Sequence, residues 1–456
     1  MNRILLFITL FLTISANTFS QNLTQTIKGV VVDKQSLSPL PGATIALEDT
    51  DPIIGTITGD DGSFRLENVP VGRYHVVIKF MGYQSLTLPD ILVSTGKEVV
   101  LDIKLNESIE QVDEVVVSAK SIKNETINSM SMISARTFSV DETQRYAGSL
   151  DDPARMVSAF AGVTVGNIQD NAIIIRGNAP KNVSWRLEGV DIPNPNHFAG
   201  GNVAGGGFVT VFSSQMLSNS DFFSSAFPAD YGNAISGVFD MRFRNGNAEK
   251  REHTFQVGLL GMDIASEGPF KKGSKATYLF NYRYSTMALI KPILPTQQVP
   301  EYQDLSFKFN FPTRIGTFSL WGIGAKDKNA EPEDDNPENW KEEWDRLKYD
   351  WTLDMGAVGL NYRKTIGNST YFNTAIVASG TNNKYDSKRF DDNIVLQDQD
   401  FLNDINSKLT VSSYINHKFG PKHTNRTGII YNHLRYDLEF KTSIDNVPPM
   451  TTLVDE

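Results

Sequence analysis

Six histidines stand at positions 75, 197, 253, 417, 423 and 433, and none has the His-Glu-x-x-His spacing that sets two metal ligands and a general base on one helix face. Cysteine is absent, which excludes thiol nucleophiles, thiolate metal sites and disulfides. No Gly-x-Ser-x-Gly elbow and no phosphate-binding glycine loop occurs. Asp60-Asp61-Gly62 offers two carboxylates to a Ca²⁺ ion, but two acids before a glycine are the usual composition of a hairpin turn. The chain therefore reads as a non-enzyme with no cofactor and no metal site. The chemistry it does offer is main-chain hydrogen bonding. Val112–Ala119 is acidic at its start and β-branched after it. A partner protein can add such a stretch to its own sheet edge, so Asp113, Glu114, Val115, Val116, Val117, Ser118 and Ala119 would act mainly through their backbones. The same octapeptide would also serve as the last strand of the domain before it.

The elements around that peptide decide which reading fits. Residues 1–20 resemble an export signal: Arg3 leads, Ile4–Ile14 is apolar apart from Thr9 and Thr13, and Thr18-Phe19-Ser20 supplies small residues near a cleavage point. The apolar run is too short to span a bilayer, which needs about 20 residues. Net charge is −10 and the pI about 5.2, which argues against nucleic acid as a partner. Residues 21–108 carry seven short β-rich runs: Ile27–Val32, Ala43–Leu47, Ile54–Thr58, Ser63–Val69, Arg73–Phe80, Ser85–Leu88 and Glu98–Leu105. Turn residues separate them, as a two-sheet sandwich requires. The strings Gly29–Asp33, Pro41–Ile45 and Thr58–Phe64 resemble the carboxypeptidase-regulatory-like domain, whose members are sandwiches without catalytic residues of their own.

Residues 109–137 read as the acidic β-peptide followed by a polar linker. Residues 138–248 form a mixed segment rich in Gly, Asn and Ser. It has a helix start at Asp151–Pro153 and short strands at Ile173–Arg176, Val183–Leu187 and Val238–Phe243. Four separated pieces of it resemble the plug domain of TonB-dependent outer-membrane receptors. They are Ala161-Gly162-Val163, Ile174-Ile175-Arg176-Gly177, Leu187-Glu188-Gly189-Val190 with Pro193, and Tyr231-Gly232 with Ser236-Gly237-Val238. The chain departs from that pattern with Ala161 for Pro, Glu188 for Asp and Ser236 for Gly. By the same resemblance Asp113–Ala119 stands where those receptors carry the TonB box.

From residue 249 to 456 the pattern turns to long alternating strands. Tyr278, Phe280, Tyr282 and Tyr284 share one face, opposite Thr277, Asn281, Arg283 and Ser285. Leu305, Phe307, Phe309 and Phe311 oppose Ser306, Lys308 and Asn310, and Leu409, Val411, Ile415 and Phe419 oppose Lys408, Thr410, Ser412, Asn416 and Lys418. Aromatic faces backed by Lys, Arg and Asn favour a lipid-facing wall around a polar lumen. Nine strands are expected, with short links at 270–273, 312–316, 367–369 and 420–423 and long ones at 288–302, 328–349 and 386–404. Nine strands cannot close a bacterial barrel, and 451–456 carries no closing aromatic strand, so the chain reads as the N-terminal part of a longer protein.

The expected fold is thus mainly β: an N-terminal sandwich, an α+β plug, and the first strands of a large antiparallel transmembrane barrel. The resemblance implies about 22 strands when complete. It also implies uptake of a scarce solute (siderophore, oligosaccharide or peptide) across the outer membrane. TonB, driven by the ExbB–ExbD motor, would pull the box and so move the plug. The implied partners are TonB, an extracellular ligand and outer-membrane lipid. Val117-Ser118-Ala119-Lys120 lacks the continuation found in starch-utilisation relatives, which leaves a surface lipoprotein partner open. Plug residues expected to face the ligand are Asn178, Lys181, Asn194, Asn196, His197 and Phe198, all in stretches whose Asn and Pro also suit turns. The rival reading is a passive porin or surface-binding barrel without TonB coupling.

Overall fold

The computed structural model describes residues 23–455 apart from 49, 109–119, 122–125, 132–134, 139, 150, 168–169, 202, 259–260, 291–299, 333 and 444–449. The expected export signal at 1–20 and the acidic β-peptide at 113–119 lie outside the described residues. The chain divides into two compact units, the first drawn mainly from residues up to Ile103 and the second running from Lys104 to Glu456.

All seven β-rich runs of the first unit are strands: β1 Thr24–Asp33, β2 Thr44–Leu47, β3 Gly55–Ile57, β4 Ser63–Pro70, β5 Gly72–Lys79, β6 Leu86–Val93 and β7 Val99–Leu105. One sheet is ordered β4–β1–β7 and the other runs β3–β2–β5–β6. Alternation fills the space between them: Ile27 and Val31 from β1, Ile45 and Leu47 from β2, Val76 and Ile78 from β5, and Ile103 and Leu105 from β7 are buried. Asp60-Asp61-Gly62 is the turn into β4. Gly62 takes a φ of 73°, and the Asp61 carboxylate accepts from the Ser63 amide and hydroxyl at 3.1 and 2.5 Å.

In the second unit, five short strands form the plug sheet: β8 Ala135–Phe138, β11 Val183–Leu187, β12 Val190–Ile192, β13 Ser220–Phe223 and β14 Gly237–Met241. Their order is β12–β11–β14–β13–β8, with β11 and β14 parallel and the remaining pairs antiparallel. A hairpin, β9 Val163–Asn167 and β10 Asp170–Ile175, and two short helices, α1 Val140–Arg145 and α2 Pro153–Met156, complete the plug. Helix α2 starts where the sequence places it. The Asp152 side chain accepts from the Ala154 amide, and Pro153 occupies the first turn, where its missing N–H is no loss.

The wall is one antiparallel sheet of ten strands in chain order, not nine: β15 Glu252–Val257, β16 Met262–Pro269, β17 Thr277–Tyr284, β18 Glu301–Thr313, β19 Gly316–Glu331, β20 Leu347–Ile366, β21 Thr370–Phe390, β22 Leu396–Gly420, β23 His423–Thr442 and β24 Met450–Asp455. Strand β24 pairs with the upper part of β23. No helix among the described residues is long and apolar enough to cross a membrane, which says nothing of strands.

Inward and outward faces follow the alternation. On β17, Thr277, Leu279 and Asn281 are buried while Phe280 is exposed. On β18, Tyr302, Asp304, Ser306 and Lys308 are buried while Leu305 and Phe311 are exposed. On β22, Thr410, Ser412 and Asn416 are buried while Leu409, Ile415 and Phe419 are exposed. Outward rings gather near the short turns: Phe270 touches Tyr278, Phe309 and Phe311, and Phe318, Tyr362 and Phe372 form a ladder. Such a belt suits one interface of a bilayer.

The expected long link at 386–404 is instead a continuation of β21 and β22, leaving only Asp391–Val395 as the loop. Asp391 closes it by accepting from the amides of Asn393 and Val395 at 2.8 and 2.9 Å. Strands β20 to β23 are 20, 21, 25 and 20 residues long, whereas a spanning strand needs about 9–11. Their upper parts stand beyond any apolar band, where Lys384, Asp386 and Lys388 share the outward face with no need of lipid. Without an apolar face, that stretch gives no period-2 hydrophobic signal.

Two substitutions check this placement. Phe307→Arg, on the outward face within the apolar band, is expected to cost about 2–4 kcal/mol of barrel stability. Lys384→Ala, above the band, should change stability by no more than about 0.5 kcal/mol. Equal effects in denaturant titrations of the folded barrel would place the band elsewhere.

Candidate functional site: the plug and its seat on the wall

Two of the plug motifs are tight turns that few residues can make. Arg176-Gly177 and Glu188-Gly189 each put both central residues at positive φ, 49° and 80° in the first, 53° and 89° in the second. Glu188-Gly189 links β11 to β12 as a two-residue hairpin, with Leu187 opposite Val190. Paired positive φ values mark the hairpin turn that matches strand twist, and glycine takes its second position without strain. Glu188 is less suited to that backbone than Asp or Asn, but its longer side chain reaches the wall. Its Oε1 accepts from the Phe243 amide at 2.8 Å and from Lys308 Nζ of β18 at 3.0 Å. Asn361 of β20 donates to the Glu188 carbonyl at 3.1 Å and accepts from the Trp321 indole of β19 at 3.1 Å. One hairpin is thus keyed to two wall strands, with Trp321 of a third steadying Asn361.

Gly237 and Tyr231 hold the plug sheet together. A Cβ at Gly237 would lie 2.2 Å from Ile175 Cδ1 and 2.9 Å from the Phe223 carbonyl, so only glycine allows that approach. The Tyr231 hydroxyl donates to Asp240 at 2.8 Å and accepts from Asn128 Nδ2 at 2.8 Å. The Arg186 guanidinium lies 4.6 Å over the Tyr231 ring. Gly232, by contrast, has open space where its Cβ would be.

The six plug residues expected to face the ligand separate into two groups. Asn178 and Lys181 are exposed, and Asn178 Nδ2 donates to the Ile175 carbonyl at 3.1 Å, closing its own turn. Asn194, Asn196, His197 and Phe198 are turned into the protein. Asn194 donates to the carbonyls of Gly205 and Gly206 and accepts from Asn196. His197 is fully buried between two wall carboxylates, its Nδ1 2.5 Å from Asp327 of β19 and its Nε2 3.0 Å from Asp304 of β18. The Phe198 amide donates to the other Asp327 oxygen at 2.7 Å.

Around His197 the wall supplies further charge. Arg283 of β17 donates to Asp304 at 2.8 Å and to the plug carbonyl of Thr210 at 2.5 Å. The Ser213 hydroxyl donates to Asp263 of β16 at 2.9 Å. Lower in the wall, Arg244 grips Glu267 of β16 through both guanidinium nitrogens, at 2.5 and 2.7 Å. Planar two-point pairs of this kind fix geometry as well as charge. Between these polar anchors Leu279, Trp321, Ile323, Met355 and Val377 of the wall join one apolar core with Trp185, Leu187, Phe222 and Phe239 of the plug.

Burial opposes a charge on His197, and the carboxylates of Asp327 and Asp304 outweigh it, holding the imidazolium above its ordinary range. Sequence reasoning puts Arg283 on the luminal face but does not single out Asp304, Asp327, Asp263 or Glu267. Their one signal is an acidic residue on the inward side of an alternating strand.

Comparisons with known proteins fall into two parts. Residues 26–106 match the carboxypeptidase regulatory-like domain family. No curated protein matches the chain. Among solved structures, the chain is similar to the ferric yersiniabactin uptake receptor FyuA from Yersinia pestis, at 11% identity and a TM-score of 0.43, covering 71% of this chain and 60% of that one. It is also similar to FpvA of P. aeruginosa bound to a heterologous pyoverdine, at 10% identity and 0.47, covering 70% and 44%. A third is the outer membrane transporter YddB from Escherichia coli, at 10% identity and 0.38, covering 71% and 56%. The chain therefore spans less than two thirds of the length of each.

The His197 seat gives a test with a sign. A histidine whose pKa is raised on folding contributes fully below its free value, about 6.5, and loses that contribution as pH rises through the folded value. The stability difference between the parent and His197→Gln should therefore shrink as pH rises from 6 toward alkaline values. His197→Ala should cost about 3–5 kcal/mol below that window, because it strands buried carboxylates. Chemical denaturation at several pH values reads both, and a difference that grows with pH would contradict the assignment.

Proposed function

We propose that this chain is the plug-bearing part of an outer-membrane transporter whose plug is moved by a periplasmic partner pulling on Asp113–Ala119. The observation that carries the reading is a plug bolted to the inward face of an antiparallel wall whose outward face is aromatic and aliphatic. A wall built to be lined with water has no use for a folded domain held across it by Glu188–Lys308, Arg244–Glu267 and His197. Opening such a passage requires work on the plug, and the outer membrane has neither nucleotide nor an ion gradient of its own to supply it. An acidic, β-branched peptide ahead of the plug suits a handle gripped through its backbone. TonB, driven by ExbB–ExbD at the inner membrane, is the partner this reading names. The cargo is a scarce solute too large for passive entry.

In this reading the outward rings touch outer-membrane lipid, the short turns face the periplasm, and residues 332–346 face outward from the cell. That segment is rich in acids and is tied to the neighbouring loop by Arg346–Asp392 at 3.0 Å.

Val116→Pro removes one backbone donor from the handle and should abolish energy-dependent uptake while surface binding of ligand persists. Uptake that survives this change, or that survives loss of TonB, would favour a passive barrel. An epitope inserted at Asn336, in an exposed polar loop, should be labelled on intact cells, and one at Pro421-Lys422 only after the outer membrane is opened. The reverse pattern would invert the topology.

A further inference from the structure

Between the handle and the plug, Ile127 and Asn128 tie the chain to the plug sheet. The Ile127 and Asn128 amides donate to the two oxygens of Asp221 on β13, at 2.9 and 2.7 Å. Asn128 Nδ2 donates to the Tyr231 hydroxyl at 2.8 Å, which in turn donates to Asp240 of β14. Asn128 also folds its own turn, its Oδ1 accepting from the Met130 amide at 3.0 Å. Thr137 of β8 adds a third donor to Asp221, at 2.5 Å. Asn128, Asp221, Tyr231 and Asp240 are all buried. Hydrogen bonds to a buried carboxylate are the strong kind, and here several must break together.

The next element along the chain is weak. Strand β8 has four residues and lies at the edge of the plug sheet, paired among the described residues only to β13, with Ala135 opposite Phe223 and Phe138 opposite Ser220. Tension arriving at Ala135 meets these pairs one after another, so an unprotected β8 would peel at low force. Peeling would uncover Phe222, which packs against Phe160 and Phe239 in the plug core.

From this arrangement we infer that Asn128, Asp221 and Tyr231 form a tension-resisting clamp. Force applied at Asp113–Ala119 enters the plug there, on β13 and β14, before it reaches β8. The inference rests on the pulling reading of the handle, but the clamp itself has a mechanical readout that needs no TonB. These are positioning residues. They touch no cargo, and they set the tension below which the plug stays shut.

This chain contains no cysteine, so Val116→Cys adds a single thiol to it as an attachment point, used with the protein in lipid vesicles after any cysteine elsewhere in the protein is replaced by serine. With force applied there, the first resisting step within the plug should appear after the twelve or so residues up to 128 have straightened, roughly 40 Å. Asp221→Asn should shorten the lifetime of that step at fixed force by about tenfold or more, the effect of weakening hydrogen bonds to a charged group, and Asn128→Ala, which loses the neutral bond to Tyr231, by roughly threefold or more. Ile127→Pro removes a single amide donor without touching the sheet and should do the same if the buried changes impair folding. Lys308→Met, which loosens the plug from the wall, should leave the first lifetime unchanged. An unchanged lifetime in Asn128→Ala and Ile127→Pro, or a first step beyond β8, overturns the clamp. Neither result touches the coupling reading, which falls if Val116→Pro still transports or if uptake survives loss of TonB.

Discussion

A strand in hydrocarbon has no water to satisfy its N–H and C=O groups, so every one must find a neighbouring strand. The wall obeys this for ladder after ladder, from β16 through β23, with residue-by-residue antiparallel pairing. Once the backbone is committed in this way, side chains have only two places to go. One face must be apolar enough for lipid, which fixes the other as the place for charge. The buried Asp304, Lys308 and Asp327 and the half-buried Arg283 are there because the pleat leaves them nowhere else.

Charges on that inward face would be costly if left unpaired in a dry contact, and the plug answers them. Glu188 meets Lys308, Arg244 meets Glu267, and His197 sits between Asp304 and Asp327. Buried pairs of this sort are weak sources of net stability, because desolvation offsets much of the attraction. Their strength lies in register: a plug displaced by one strand spacing, about 4.8 Å, would strand several charges at once. The apolar contacts of Trp321 and Leu279 supply adhesion without that selectivity.

Much of this is legible in the order of residues alone. The period of two in Tyr278–Tyr284, Leu305–Phe311 and Leu409–Phe419 states which side chain faces which way, and the turn residues between the sandwich runs mark its seven strands. The upper halves of β21 and β22 are illegible because a strand standing in water on both faces carries no hydrophobic code. Strand β24, Met450–Asp455, escapes notice because its six residues are too few to show an alternation. His197 is expected to meet ligand, since an Asn-rich, Pro-rich stretch gives no sign of the partners that bury it. Asp221 is invisible altogether. A lone acid in Ser-Asp-Phe-Phe becomes a hub only when residues more than eighty positions earlier fold back onto it.

The order of contacts along the chain bears on how the molecule is put together. The plug precedes the wall, and the strands that grip it, β16 through β20, are consecutive. Whichever part settles first, five successive wall strands each carry a contact to the plug: Asp263 and Glu267 on β16, Arg283 on β17, Asp304 and Lys308 on β18, Asp327 on β19 and Asn361 on β20. In that sense the plug is a jig: Arg244, Glu188 and His197 set where those five strands stand relative to the enclosed domain, alongside the ladders that join them to one another.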